Sequence, residues 1–208
     1  MDRTEQLVEA VKPHYAQNDP AHDLSHALRV TKLARQIAQV EGGDLDIIVP
    51  AALCHDLRRW EFASHSDEMA AFVKDLLLQV GYDASDVDAT VRAVQRHSFS
   101  APQAPETLEE KILFDADKLE SLGAIGIGRC FAVSGALNQV IVSETSLPLT
   151  AQHFLVERMS RTFERLYTPT AKELGRVRHD FLLAFVEQLH SELKVLKGNE
   201  TVASADDL

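Results

Sequence analysis

Histidine and aspartate recur in three short stretches far apart in the chain: His22-Asp23-Leu24-Ser25-His26, Cys54-His55-Asp56 and Asp115-Ala116-Asp117. The middle stretch is the most informative. Its His-Asp doublet closes an apolar run, Val49-Pro50-Ala51-Ala52-Leu53-Cys54. Ionisable groups at the end of such a run are costly to desolvate unless they are paired or bind a metal. A divalent cation answers for both residues. Neutral imidazole together with carboxylate suits Mn, Fe, Co or Zn and tolerates Mg. Other groups with chemical potential are Arg58 and Arg59 after the doublet, His65, His97 beside Ser98, and Lys118 directly after Asp117.

The elements that must position these groups are helical throughout. Residues 3–16 read as a short helix with Leu7, Val8 and Val11 on its apolar side, and Asn18-Asp19-Pro20 as a turn. The second helix opens at Asp23-Leu24-Ser25. In it His26, Val30, Leu33 and Ile37 share one face, so His26 points inward with the core stripe. Taken alone, such a histidine is a core residue bonded to a backbone carbonyl. Gly42-Gly43 ends this helix. Asp44 or Asp46 caps the third, with Pro50 expected no later than about its first turn and His55-Asp56 at its far end. Residues 58–61 read as irregular.

Three capping signatures follow: Ser64 with Asp67, Ser85 with Asp88, and Thr107 with Glu110. The first opens a helix with the stripe Met69, Phe72, Val73, Leu76, Leu77 and Val80, stopped by Gly81. The second places Val87, Val91 and Val94 inside and His97 near the helix end. The third carries Leu108, Ile112, Asp115 and Leu119 on one side and Leu113, Phe114 and Asp117 on the next, which predicts a broadly buried helix. Residues 125–140 read as a core helix and 141–151 as a loop. Two long helices are expected at 152–167 and 170–195, the last with a stripe of Leu174, Val177, Phe181, Phe185, Leu189 and Leu193. Gly123, Gly126 and Gly128 allow either a phosphate-cradling loop or close helix packing. With no strand before them, the dinucleotide fingerprint is excluded. The chain is therefore expected to be all-α: a compact helical array over residues 1–197 with a metal site between helices, and a polar, disordered tail at 198–208.

His26, then His55-Asp56, then Asp117 resembles the H…HD…D signature of the HD-domain metal-dependent phosphohydrolases. His97-Ser98-Phe99-Ser100, the run DADKLESLGAIGIGR from Asp115 to Arg129, and the stretch from Phe131 to Leu137 are similar to a small, single-domain bacterial branch of that superfamily. The resemblance covers residues 15 to 195, nearly the whole chain. It implies the HD-domain helical array, with His26, His55, Asp56 and Asp117 as ligands of a divalent metal (Mn, Mg, Co, Ni or Fe). Four protein ligands leave two positions open on an octahedral ion, the mark of a catalytic site. Such an ion acidifies bound water and polarises a phosphoryl oxygen.

Around that set, Asp117 is a candidate to orient or deprotonate the water. His97 is a candidate phosphate contact or general acid, and Lys118 a phosphate contact or an exposed lysine. Arg58 and Arg59 could grip phosphates bidentately. His65 lies where some HD families place a further metal or phosphate histidine, with helix-start solvation as the alternative. His22 and Asp23 lie within about one turn of His26, and Asp23 either fixes an imidazole tautomer or caps the helix. Other HD branches carry a carboxylate about three residues after the doublet; here Arg59 stands there, with Glu61 two further on. Arg129 and the second doublet, His179-Asp180, read as structural salt-bridge partners, the doublet on the surface.

The implied activity is hydrolysis of small phosphorylated compounds, most specifically of nucleoside triphosphates to monophosphate and pyrophosphate. The alternatives are a nucleotide phosphomonoesterase, a cyclic-nucleotide phosphodiesterase, or a nucleotide-binding regulatory module without turnover. A chain of 208 residues can bury a real core as one domain. A net charge of −11 argues against nucleic-acid or anionic-membrane partners, because phosphate backbones demand excess Lys and Arg. There is no long apolar span and no signal-peptide layout, and Cys54 and Cys130 read as buried free thiols. A cytoplasmic location is expected. The closing helices offer surface for a homodimer.

Overall fold

The computed structural model of the protein describes residues 2–63, 65–143 and 150–198, the last four by backbone alone. Among these residues every regular element is helical. They are α1 (Arg3–Val11), α2 (Leu24–Glu41), α3 (Leu45–Cys54), α4 (Asp67–Val80), α5 (Ala84–Arg96), α6 (Leu108–Leu119), α7 (Gly123–Ala136), α8 (Ala151–His153) and α9 (Pro169–Gly198). The C-terminal tail expected at 198–208 lies almost wholly outside the described residues.

Helix α3 is the central element. Residues Ile48 through Cys54 are all buried, as they must be for so apolar a run. It packs against α2 on one side and α5 on another, while α6 closes over α2 and α3. Asp44, not Asp46, is its N-cap, accepting from the Asp46 N–H. The helix therefore starts early, and Pro50 falls in its second turn rather than its first. An interior proline forfeits one backbone hydrogen bond. Here it is offset by burial of the whole segment, with Ile48 and Leu53 fully enclosed.

Two expected caps move. The Ser64 cap lies outside the described residues, and α4 is capped by Ser66, whose hydroxyl accepts from the Met69 N–H. Helix α4 ends at Gly81 (φ 92°), and Tyr82 N–H returns to Leu77 O. This closure leaves only Asp83 before α5 starts, so Ser85 sits inside that helix instead of capping it. The Thr107–Glu110 capping box forms as expected. Helix α6 is buried at Glu110 and continuously from Ile112 to Leu119.

The C-terminal third departs most from expectation. The segment read as a long helix at 152–167 is broken: after α8 come a π-helical turn (Phe154–Arg158) and two 3-10 turns (Met159–Arg161 and Phe163–Arg165). Helix α9 keeps part of the expected stripe, with Leu174, Phe185 and Leu189 packed against the core, but its inward face is rotated away from Val177 and Phe181. Ala171, Leu182 and Val186 are buried, while Val177 is 77% exposed and Phe181 52% exposed. Gly175 explains the rotation. A Cβ there would stand 3.0 Å from Leu166 Cδ1 and 3.1 Å from Leu119 Cδ2, so the bare glycine lets α9 approach α6 closely. The start of α9 is fastened to α6 by Asp115. Its carboxylate accepts from Tyr167 N–H (2.8 Å), Thr168 N–H (2.7 Å) and the Thr168 hydroxyl (2.7 Å). Thr168 in turn caps the helix through Ala171 N–H, with Pro169 at the first helical position.

Gly123 and Gly126 both allow close approach: a Cβ at Gly123 would lie 3.1 Å from Arg178 Cβ of α9, and one at Gly126 would lie 2.3 Å from the Ser121 backbone in the turn between α6 and α7. Helix α7 thus runs on from the end of α6, directly beside the residues described next.

Candidate active site

His26 lies in the first turn of α2, held there because Asp23 caps the helix: its carboxylate accepts from His26 N–H at 2.9 Å. Asp23 also takes the Ser25 hydroxyl at 2.7 Å. Of its two expected parts, it therefore plays the cap. His55 is the C-cap residue of α3, and Asp56 follows it. Asp117 comes from the buried α6, and His97 is the C-cap residue of α5. Four helices that are far apart in sequence converge here.

The four residues His26, His55, Asp56 and Asp117 do meet. His26 Nε2 is 3.2 Å from His55 Nε2, 3.4 Å from Asp117 Oδ1 and 3.6 Å from Asp56 Oδ2. His55 Nε2 is 3.3 Å from Asp56 Oδ2. His26, His55 and Asp117 each place a ligand atom within 4.8 Å of the others, and so do His55, Asp56 and His97. All five side chains are buried.

The donor set suits a cation. His55 Nδ1 faces the Ala52 carbonyl at 2.8 Å, and a carbonyl only accepts, so Nδ1–H is committed there and Nε2 is the nitrogen that faces the cluster. His97 repeats the construction at the end of α5, with Nδ1–H on the Val94 carbonyl at 2.7 Å. Two imidazole Nε2 atoms at 3.2 Å, flanked by two carboxylates, need a proton or a metal ion between them. Burial opposes ionisation of Asp56, yet His55, His22 and Arg59 together hold its carboxyl well below the usual range. Burial likewise opposes ionisation of Asp117, and Lys118, His26 and His55 overcome it. Both carboxylates are thus charged and ready to bind at neutral pH. Burial, helped by His55, pushes His97 down to about 4, so its ring is neutral.

The surrounding shell contains residues that the sequence did not single out. Glu120 Oε2 lies 3.6 Å from His26 Nδ1 and is held by Arg29 Nε at 2.7 Å. Glu120, not Asp23, is the carboxylate facing that ring. Arg129, expected to be a structural salt-bridge partner, reaches the cluster. Its Nη2 is 3.2 Å from His26 Nε2, while Nε and Nη1 donate to the carbonyls of Ala21 (2.8 Å) and Glu120 (3.1 Å). Asn18 Nδ2 bridges the carbonyls of His22 and Asp56, both at 2.8 Å, and so ties the two His-Asp stretches together. His22 pairs with Asp19 at 2.8 Å. The regularities available in sequence were Glu120 three residues after Asp117 and Arg29 three after His26, each on the same helix face.

A cavity of about 240 Å³ opens onto this cluster. Its lining brings together His22, Asp56, Arg59, His97, Asp117, Lys118, Arg129 and Arg158 with the apolar Val133, Leu137, Phe154 and Met159. Arg59 Nη1 lies 3.2 Å from Asp56 Oδ1. Lys118 contacts the Asp117 carboxylate and stands 4.7 Å over the Phe99 ring and 5.1 Å over that of Phe114. Arg58 and His65 do not line the cavity. Arg58 has left-handed backbone (φ 46°), which turns the chain away after the doublet. Its guanidinium pairs with Glu61 and packs on Phe62 and Phe72, each at 5.0 Å. Glu61 is therefore spent on Arg58, and among the described residues the cavity's carboxylates are Asp56 and Asp117. His179 stacks on Phe163 at 4.8 Å, away from the cluster.

Residues 23–122 match the HD-domain family. The Bacillus subtilis (strain 168) protein YpgQ is 30% identical over 197 residues, covering 93% of this chain and 95% of YpgQ. The crystal structure of YpgQ in complex with ADP superposes with a TM-score of 0.77 at 28% identity, covering 91% of this chain and 94% of YpgQ. An HD-superfamily hydrolase from Bacillus thuringiensis gives 0.73 at 28% identity, covering 92% and 96%. Among the described residues, no helix is long and apolar enough to cross a membrane. With the His, His-Asp and Asp stretches gathered by α2, α3 and α6, and with relatives matching along nearly its whole length, the chain belongs to the HD-domain family.

Proposed function

We propose that this protein is a divalent-metal-dependent phosphohydrolase that cleaves nucleoside triphosphates to nucleoside monophosphate and pyrophosphate. One observation carries the reading. In a chain of net charge −11, Arg59, Lys118, Arg129 and Arg158 converge on one cavity, against two carboxylates among the described residues that line it, and both of those face the histidine cluster. A local cationic lining in an acidic protein serves a phosphorylated ligand. The ADP bound by YpgQ supports a nucleotide as that ligand.

In this reading His26, His55, Asp56 and Asp117 hold the metal. A divalent ion in that shell supplies positive charge against phosphoryl oxygens and lowers the pKa of a water. The protein's own groups do the rest. Lys118 and Arg59, each beside a carboxylate of the cluster, bind phosphoryl oxygens and offset the charge that builds as the bond from the α-phosphorus to the bridging oxygen breaks. His97 has Nδ1–H committed to Val94 O and a low pKa, so Nε2 is an acceptor. In this reading it takes a different part from the phosphate contact or general acid expected of it. It suits orienting the attacking water, whose proton passes to Nε2 or to the Asp117 carboxylate. Glu120 steadies His26, and Asn18 and His22 fix the loop that leads into its helix.

The test is a hydrolysis screen with Mn, Mg, Co or Ni over nucleoside mono-, di- and triphosphates and a simple phosphomonoester, with Asp117→Asn as blank. Pyrophosphate from triphosphates, lost in the variant, is the expected result. Orthophosphate from monophosphates would replace the proposal with a phosphomonoesterase. Nucleotide binding without product would replace it with a regulatory module.

A further inference from the structure

Lys118 contacts Asp117, Arg59 lies 3.2 Å from Asp56, and Arg129 lies 3.2 Å from His26, so these three cations stand against the histidine cluster. Arg158 lines the same cavity without belonging to that group. It is exposed and, among the described residues, has no carboxylate partner. Glu157, beside it in sequence, is committed to Arg161 at 3.1 Å. In a chain of net charge −11, an arginine left unpaired at the rim of a cavity is available to anionic oxygens.

Its placement follows a path outward from the cluster. Phe99 also lines the cavity, and its ring centre is 4.7 Å from Lys118 Nζ and 5.9 Å from Arg158 Cζ. Asp117, Lys118, Phe99 and Arg158 therefore succeed one another from the buried helix α6 to the exposed rim. The backbone brings Arg158 there by an irregular route. It is the last residue of the π-helical turn Phe154–Arg158, and Phe154 at the head of that turn and Met159 just after it line the cavity with it. Such turns give up regular helix geometry and recur at functional sites. A nucleoside triphosphate cut between its α and β phosphorus atoms has its α-phosphate at the cluster. Its β- and γ-phosphates must then lie beyond the cluster, where their charge has to be met by other groups.

Resting on the nucleotide reading above, we infer that Arg158 holds the terminal phosphates of the substrate and so makes the site prefer triphosphates to shorter nucleotides. Its guanidinium donates to γ-phosphate oxygens while Lys118 stays with the phosphoryl group at the cluster. The γ-phosphate is charged both before and after the α–β bond breaks, so this contact strengthens binding and leaves the chemical step nearly untouched. Arg165 is a built-in control. Its Cζ is 3.9 Å from the centre of the same Phe99 ring, yet it does not line the cavity. It brings the same charge to the same neighbourhood without the contact.

The experiment measures calorimetric affinity, with Mn present, for AMP, ADP and the α,β-methylene analogue of ATP, which cannot be cut between its α and β phosphorus atoms. It is run on the wild type, Arg158→Ala, Arg158→Lys and Arg165→Ala, together with kcat and KM for ATP. Affinity ratios are taken within each protein, so partial loss of folded material does not alter them. Arg158→Ala should cut the preference for the triphosphate analogue over AMP about tenfold, as loss of a charge-assisted contact does, with the loss in turnover carried by KM. Arg158→Lys, which keeps the charge, should retain part of the preference, and Arg165→Ala should keep it whole. If Arg158→Ala weakens all three ligands equally or none of them, or if Arg165→Ala does the same damage, this inference is overturned and the hydrolase reading stands. Arg158-dependent preference for the triphosphate analogue without release of pyrophosphate from ATP does the reverse. Absence of nucleotide binding overturns both.

Discussion

Asp115 and Asp117 lie two residues apart on one helix, and the structure gives them opposite work, which a pair of substitutions can separate. Asp115 is fully buried and holds the start of α9 through three short hydrogen bonds, two of them to the buried Thr168. Burial raises its pKa despite those bonds, so part of their gain is already offset by its own desolvation. Asp115→Ala strands the Thr168 N–H and hydroxyl, at roughly 1–3 kcal/mol per buried donor. Tyr167 is partly exposed, and water can take over its N–H. A net loss of about 3 kcal/mol is expected, which in a chain of this size lowers Tm by about 6–12 °C. Asp117→Asn should differ in kind. Neutralising the carboxylate leaves the buried Lys118 without its counter-charge, so the metal-free protein loses stability as well. What sets this variant apart is loss of the gain on adding Mn, about 2.7 kcal/mol or about 5–11 °C at a hundredfold excess over Kd. Calorimetric melting of both variants, with chelator and with Mn, gives the four numbers needed. If Asp115→Ala melts like wild type but loses the metal increment, or Asp117→Asn keeps it, the division of labour drawn here is refuted.

Three further outcomes follow from the same geometry. Arg59→Ala should raise KM for a triphosphate about tenfold, as loss of a charge-assisted phosphate contact does, whereas Arg58→Ala should lower Tm while KM stays near wild type; the reverse pattern in steady-state kinetics would return Arg58 to the substrate. Glu120→Gln should weaken Mn affinity about 10- to 100-fold by calorimetry, because the carboxylate facing His26 Nδ1 is lost; unchanged affinity would leave it a mere partner of Arg29. Burial pushes the Cys130 thiol up to about 11. Its alkylation rate should therefore climb about tenfold per pH unit from 7 to 10, as the thiolate fraction does. Because Cys130 lines the cavity, ADP with Mn should slow the reaction, and labelling indifferent to nucleotide would place the ligand elsewhere.

The cluster could be anticipated in sequence because its residues ride on strong local patterns. His26 shares the stripe of Val30, Leu33 and Ile37, and the apolar run before His55 could only be a core helix. Asp117 sits in a helix whose apolar residues cover two faces, so an acid there had to be inside. What the pattern could not carry was set by close approaches and chain reversals. Arg129 is legible only once Gly126 is known to press α7 onto Ser121, which aims the arginine at His26. The face that α9 turns inward follows Gly175, a residue with no side chain to register in a hydrophobic stripe. The broken segment from Phe154 to Arg165 carries apolar residues at helical spacing, yet it winds in π and 3-10 turns where it walls the cavity. Arg58 looked like a second phosphate grip beside Arg59 until its left-handed backbone sent it outward.

His55 and His97 end separate helices and give their Nδ1 protons to carbonyls three residues back, Ala52 and Val94. The orienting partner of each ring is main chain, which no substitution can remove. Mutation can delete these imidazoles but cannot easily re-aim them or change which nitrogen faces inward. Divergence among proteins built this way is therefore channelled to the walls around the rings, where a side chain such as Arg59, Lys118 or Arg158 can be exchanged singly while the inner geometry is inherited unchanged.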